Sequence, residues 1–229
     1  MLNRSIVFSV LLAANISLFA QRHDTATLYK PGSINLLLPA AMLGYGFASM
    51  HITRLERWNH HLQDGVAQAD PARHVSVDDY LQWSPAVAVY GLNFAGVKGK
   101  NGFKDRTFIF GMATLFQGAA TYVVKRGTHE MRPDRSNHLS FPSGHTATAF
   151  ANAEFMRMEY KDQSPWYGVA GYTAAAATGY LRMYNNKHWL NDVLAGAAIG
   201  ILSTQASYFL YPRIKKLTQK HHHQLIQQY

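Results

Sequence analysis

The chain contains no cysteine, which excludes disulfide staples, thiolate nucleophiles and cysteine-ligated zinc. Charge is also scarce. Asp, Glu, Lys and Arg make up 15% of the 229 residues, and 13 acids face 22 bases. A hydrophobic share of 48% excludes a disordered chain, which holds too little apolar surface to fold. No segment sustains the apolar–polar alternation of a half-buried strand, and there is no internal repeat or low-complexity tract. The net charge of +9 draws anionic partners. The basic residues are scattered, however, and no nucleic-acid-binding motif is present, so nucleic acid is not an expected partner.

What is present is a series of six apolar stretches, at 34–50, 85–97, 107–124, 146–160, 166–180 and 189–211. They predict an all-α fold, a six-helix bundle that is membrane-embedded or membrane-associated. The third stretch would reach about 27 Å as a helix, close to a bilayer core. The fourth is more polar, with Asn152, Glu154 and Arg157, and the mean hydropathy of −0.17 is low for an integral protein. Pro212 is expected to end the sixth helix. Gly196 and Gly200, four apart, would let that helix pack closely on a neighbour. At the N-terminus Arg4, the apolar run Ile6–Ala14 and Ser17-Leu18-Phe19-Ala20 read as a signal peptide or signal anchor over residues 1–20. One domain is expected over 21–212, followed by a basic tail, 213–229. Residues 51–83 are polar, and no motif is assigned anywhere in residues 1–100.

Three short motifs carry the chemistry: KRGTHEMRP at 125–133, PSGH at 142–145 and RMYNNKHWLND at 182–192. Lys125 falls at the end of the third stretch and Ser143 to His145 open the fourth. Arg182 closes the fifth, and His188 opens the sixth. In an up-and-down bundle these four ends share one face. Lys125, Arg132 and Arg182 would offset the charge of a phosphate, with arginine forks suited to two oxygens at once. A helix start after Pro142 offers free N–H groups, Gly144 leaves room for close approach, and Ser143 donates a hydroxyl or caps the helix. His188 and Asp192 are four apart and share a helix face. The carboxylate would fix the imidazole tautomer and leave the other nitrogen free to attack phosphorus. His145 would handle the proton. His129, His138 and the run His221 to His223 are read as surface residues.

This pattern resembles the type 2 phosphatidic acid phosphatase (PAP2) superfamily, which also contains bacterial class A acid phosphatases and vanadium haloperoxidases. The matching residues are Lys125, Arg132, Pro133, Pro142, Ser143, Gly144, His145, Arg182, His188 and Asp192. Leu181 departs from it, standing where a small residue is usual. The resemblance covers about residues 107–211. It implies metal-independent hydrolysis of a phosphomonoester or diphosphate through a phosphohistidine at His188, with no cofactor. The substrates it implies are lipid-linked phosphates: undecaprenyl diphosphate, phosphatidate or phosphatidylglycerol phosphate, or a lipid A phosphate. A cell-envelope location follows, in the inner membrane with the site facing the periplasm, or in the periplasm.

Three other readings compete with a lipid phosphatase. They are a soluble, secreted acid phosphatase of broad specificity, a vanadate-dependent haloperoxidase, and a non-catalytic anion-binding bundle. Topology adds a conflict. Basic residues outside the motifs cluster at Lys98–Arg106, Arg157, Lys161 and Arg213–Lys220, which by the positive-inside rule puts the motifs outside. A translocated leader would put residue 21 outside too, yet three stretches separate it from Lys125. Either the leader is not a translocation signal, one stretch does not span, or the bundle is not transmembrane.

Overall fold

The computed structural model describes residues 36–67 and 74–226, with side chains up to residue 219. The signal segment expected over residues 1–20 lies outside the described residues. Within them the chain is all-helical, with no strand. In order the helices are α1 (Leu37–Ser49), α2 (Thr53–Val66), α3 (Val77–Leu81), α4 (Ser84–Phe94), α5 (Phe103–Thr128), α6 (Gly144–Tyr160), α7 (Pro165–Tyr184) and α8 (Leu190–Ile226).

The six expected stretches are α1 and α4 to α8. The expected number of six is corrected to eight described helices, because α2 and α3 arise within the polar segment 51–83. The buried face of α2 is Asn59, Leu62, Gln63 and Val66. That face has helical spacing, but two of its four members are amides, which dilutes the apolar period. Helix α3 has only five residues, too short to show a period.

Helix α6 lies at the centre of the bundle, against α7 and α8. Its polar residues face inward rather than toward solvent. The fully buried Glu154 accepts from Arg157 Nε and Nη2 at 2.6 Å, from the Tyr172 hydroxyl at 2.6 Å and from Gln205 Nε2 at 3.0 Å. Glu159 accepts from Arg106 Nε at 3.0 Å and from Tyr208 and Asn101, each at 2.6 Å. Polar composition in this stretch therefore marks internal partners, as buried charges require.

The close packing expected of Gly196 and Gly200 is present. A side-chain carbon on Gly196 would sit 2.5 Å from the Ser143 carbonyl oxygen, and one on Gly200 would strike the Ala147 carbonyl. The α8 backbone therefore lies directly against the first turns of α6.

Pro212 does not end α8, which continues to Ile226. A proline inside a helix costs about 3 kcal/mol. Contacts on both sides of it offset this loss. The Tyr211 hydroxyl donates to Asp105 Oδ1 at 2.5 Å, and Lys215 Nζ donates to Asp105 Oδ2 at 2.6 Å, tying the helix across Pro212 to the start of α5.

Two described helices are long and apolar enough to cross a membrane. Helix α8 is mostly buried, as a core helix would be. Helix α5 is 22% buried over its apolar window and presents Phe108, Leu115 and Val123 outward.

Candidate active site

The site forms where α5 and α7 end and α6 and α8 begin. Near the end of α5, Lys125 Nζ donates to the carbonyls of Leu139 at 2.6 Å and Ser140 at 3.3 Å. The loop from His129 to Phe141 then folds back over the turn between α7 and α8. Lys187 pairs with Asp134 at 2.6 Å, and the Trp189 indole donates to the Met131 carbonyl at 2.9 Å. Within the loop Arg132 Nε donates to Asn137 Oδ1 at 3.0 Å. His129 and His138 are exposed, as expected.

Ser143 is the N-cap of α6. Its hydroxyl oxygen accepts from the Thr146 N–H at 3.4 Å and the Thr146 hydroxyl at 2.8 Å, so it serves the cap while its own proton stays available. At Gly144 a side-chain carbon would meet only Thr121 Cγ2, at 3.8 Å. The protein itself therefore leaves that position open.

At the start of α8, His188 Nδ1 lies 3.2 Å from Asp192 Oδ2. The same oxygen accepts from Ser140 Oγ at 2.5 Å and from the Trp189 N–H at 2.9 Å. The Ser143 N–H donates to the Asp192 carbonyl at 3.0 Å, which ties the α6 and α8 starts together. His188 is 1% exposed. Burial, first, and then the charges of Arg182, Lys125, Arg132 and His145 hold its imidazole pKa well below the usual value. The three cations and both imidazoles thus act on one point, where His188 is neutral at pH 7.

Two partners come from the segment that carried no motif. Asp78 accepts from Arg182 Nη1 at 2.6 Å, and Asp79 Oδ1 lies 2.8 Å from His145 Nε2. Helix α3 is clamped at both ends. Val75 N donates to Asn185 Oδ1 at 3.0 Å, Asn185 Nδ2 returns a bond to the Val75 carbonyl at 2.8 Å, and Asn152 Nδ2 donates to the Gln82 carbonyl at 2.8 Å. Arg182 Nε is buried and meets no acceptor, which leaves a cationic N–H for a ligand oxygen. His145 is lowered by burial first and then by Arg182, while Asp79 pulls the other way. The adjacent acids Asp78-Asp79 were the available signal, in a chain with few acids. Glu130 of the first motif also lies at the site, accepting from Asn191 Nδ2 at 3.1 Å.

Three cations and two imidazoles thus gather around the ends of four helices, a grouping whose charge suits an oxyanion. Residues 106–216, just under half of the chain and the part that carries the three motifs, match the family model described as the PAP2 superfamily. The chain is 41% identical over 140 residues to a lipid A 1-phosphatase of Porphyromonas gingivalis. That match covers 60% of this chain and 31% of the relative, so the chain spans about a third of the length of the curated relative it matches. Among solved structures, LpxE of Aquifex aeolicus is 22% identical with a TM-score of 0.49, covering 66% of this chain and 94% of that one. The first transmembrane PAP2-type phosphatidylglycerolphosphate phosphatase from Bacillus subtilis is 18% identical with a TM-score of 0.41, covering 94% and 97%.

Proposed function

We propose that the chain is a metal-independent phosphatase acting on a lipid-linked phosphate. The observation that carries this reading is the buried His188–Asp192 pair under the combined charge of Lys125, Arg132 and Arg182. A neutral imidazole beside these cations is poised to attack an anion that they hold.

In this reading the phosphoryl oxygens take the place prepared by Lys125, Arg132, Arg182 Nε, the Ser143 hydroxyl and the free N–H groups at the start of α6, with Gly144 giving clearance. Asp192 holds the proton on His188 Nδ1, and Nε2 attacks phosphorus. The bond from phosphorus to the leaving oxygen breaks, and His145 gives that oxygen its proton. His145 then takes a proton from water as the water oxygen attacks the phosphohistidine, which releases inorganic phosphate and free His188. The dianionic substrate raises the proton affinity of His145, offsetting the effect of Arg182.

Two features support a lipid substrate. The curated relative is a lipid A 1-phosphatase. An apolar groove of about 790 Å³, lined by Trp83, Ala86, Val87, Tyr90, Phe94 and Phe110, runs along α4 and α5 and begins four residues after Asp79. Phe94, 97% exposed, and the outward side chains of α5 continue this apolar face, as a membrane-associated surface would. A cell-envelope location, with the site on the periplasmic side, fits the same reading.

The test is phosphate release from lipid A 1-phosphate, other lipid phosphates and soluble esters in detergent, with His188→Ala as control. Release from lipid A that the control abolishes supports the reading. Release from soluble esters alone would favour the secreted acid phosphatase, and no release from any substrate would sink both.

A further inference from the structure

Three donors crowd one oxygen of Asp192. Ser140 Oγ, the Trp189 N–H and the His188 ring all meet Oδ2. The other oxygen, Oδ1, is buried and receives no N–H or hydroxyl donor among the described residues. A buried carboxylate oxygen left bare is costly, and native structures rarely tolerate it. The Glu130 carboxyl is brought to the Asp192 carboxyl by two shared neighbours: Asn191, next to Asp192 in the chain, donates to Glu130, and Ser140 bonds the Glu130 backbone through its N–H and Asp192 through its hydroxyl.

Glu130 is held in place. Asn191 Nδ2 donates to its Oε1 at 3.1 Å and approaches Oε2 at 3.4 Å, and its backbone carbonyl accepts from the Ser140 N–H at 2.9 Å. No cation forms an ion pair with it among the described residues. Two neighbouring carboxyls, one buried and the other half-buried, do not both ionise readily; the stable arrangement has one keep a proton and donate it to the other.

We propose that Glu130 is a carboxylic acid at neutral pH and that its O–H donates to Asp192 Oδ1, making it a positioning residue for the Asp192–His188 pair. The charged groups around it agree. Asp192 acts on it from α8 and Glu56 from α2, both negative, while Lys125 of α5 acts on Asp192. Burial, first, and then the Asp192 charge push Glu130 up to about 8, against the opposing pull of the Asn191 amide. With Oδ1 capped, Asp192 remains an anion whose Oδ2 is aimed at His188 Nδ1. Ionising Glu130 sends its proton to solvent and sets a second negative charge against Asp192.

The effect on turnover rests on the phosphatase reading, but the protonation state does not. Infrared difference spectra of the purified full chain, wild type against Glu130→Gln, read the proton directly. A protonated-carboxyl carbonyl band at pH 7, absent from Glu130→Gln and lost from the wild type as pH rises through about 8, is expected. Absence of that band at pH 7 overturns the proposal. Turnover gives a second readout. Gln keeps an N–H donor and should hold kcat within a few-fold, whereas Glu130→Ala bares Oδ1 and should lower kcat roughly tenfold or more with KM little changed. Equal kcat in wild type and Glu130→Ala would also overturn it. A chain that hydrolyses no phosphate would remove the phosphatase reading and leave the infrared result to decide this one.

Discussion

The Asp78 carboxylate meets the Arg182 guanidinium at 2.6 Å, across 104 residues of chain, and neither side chain is more than 8% exposed. The pair fixes a cation at the end of α7 from a helix of five residues, and the next residue, Asp79, does the same for His145. Helix α3 therefore sets the position of two site groups at once.

Substituting the two acids should separate their roles. Asp78→Asn strands a buried guanidinium and should cost on the order of 3 kcal/mol in stability, read by chemical denaturation. Asp79→Asn touches a pair that is partly exposed, so the melting temperature should hardly move. Losing the Asp79 charge lowers the proton affinity of His145 further. The alkaline limb governed by His145 in the pH–rate profile should therefore shift to lower pH.

His188 makes a second prediction about pH. Its folded-state pKa lies well below 6.5, so the nucleophile stays unprotonated on the acid side of neutrality. The acid limb of kcat/KM should fall below that of a free imidazole. Stability follows the same sign. The unfolded chain takes up a proton near the ordinary histidine pKa, about 6.5, and the folded chain does not, so folding loses ground as pH falls below that value. A denaturation series from pH 8 to 5, compared with His188→Asn, measures this contribution.

The sequence made the helix ends legible because their residues sit at fixed spacings, and the structure brings Lys125, Ser143, Gly144, His145, Arg182, His188 and Asp192 to one end of the bundle. Arg132, in the following loop, acts on His188 from there. Helices α1 and α4 to α8 were legible as apolar stretches, α6 despite the Asn152, Glu154 and Arg157 that interrupt it. Asp78 and Asp79 were not legible as site residues. Their partners lie 66 and 104 residues away, and no local period marks a five-residue helix. Glu130 stood inside the first motif, but only the fold sets it against Asp192. The end of α8 was misjudged because Asp105 holds Tyr211 and Lys215 on either side of Pro212, contacts that no local rule contains.

Gly144 offers a way to tell ligand space from packing space. A methyl group there meets only Thr121 Cγ2, at ordinary contact distance. Gly144→Ala should leave the melting temperature within a few degrees of wild type while raising KM or abolishing turnover. A stable variant with full activity would mean that no ligand approaches this backbone.

Gly200 predicts the opposite pattern. An added side chain would strike the Ala147 carbonyl, which is backbone and cannot rotate away. Gly200→Val should destabilise the fold by more than the roughly 1–3 kcal/mol usual for overpacking, detected as loss of a cooperative thermal transition.

The seam between α6 and α8 has a mechanical meaning as well. His145 rides on the first turn of one helix and His188 just before the first turn of the other, and the two helices touch backbone to backbone below them. The two imidazoles are mounted on a single rigid frame, so their separation is a constant of the fold. The clamped helix carrying Asp78 and Asp79 belongs to the same frame, so any adjustment to a ligand's bulk has to come from the exposed side of the His129–Phe141 loop.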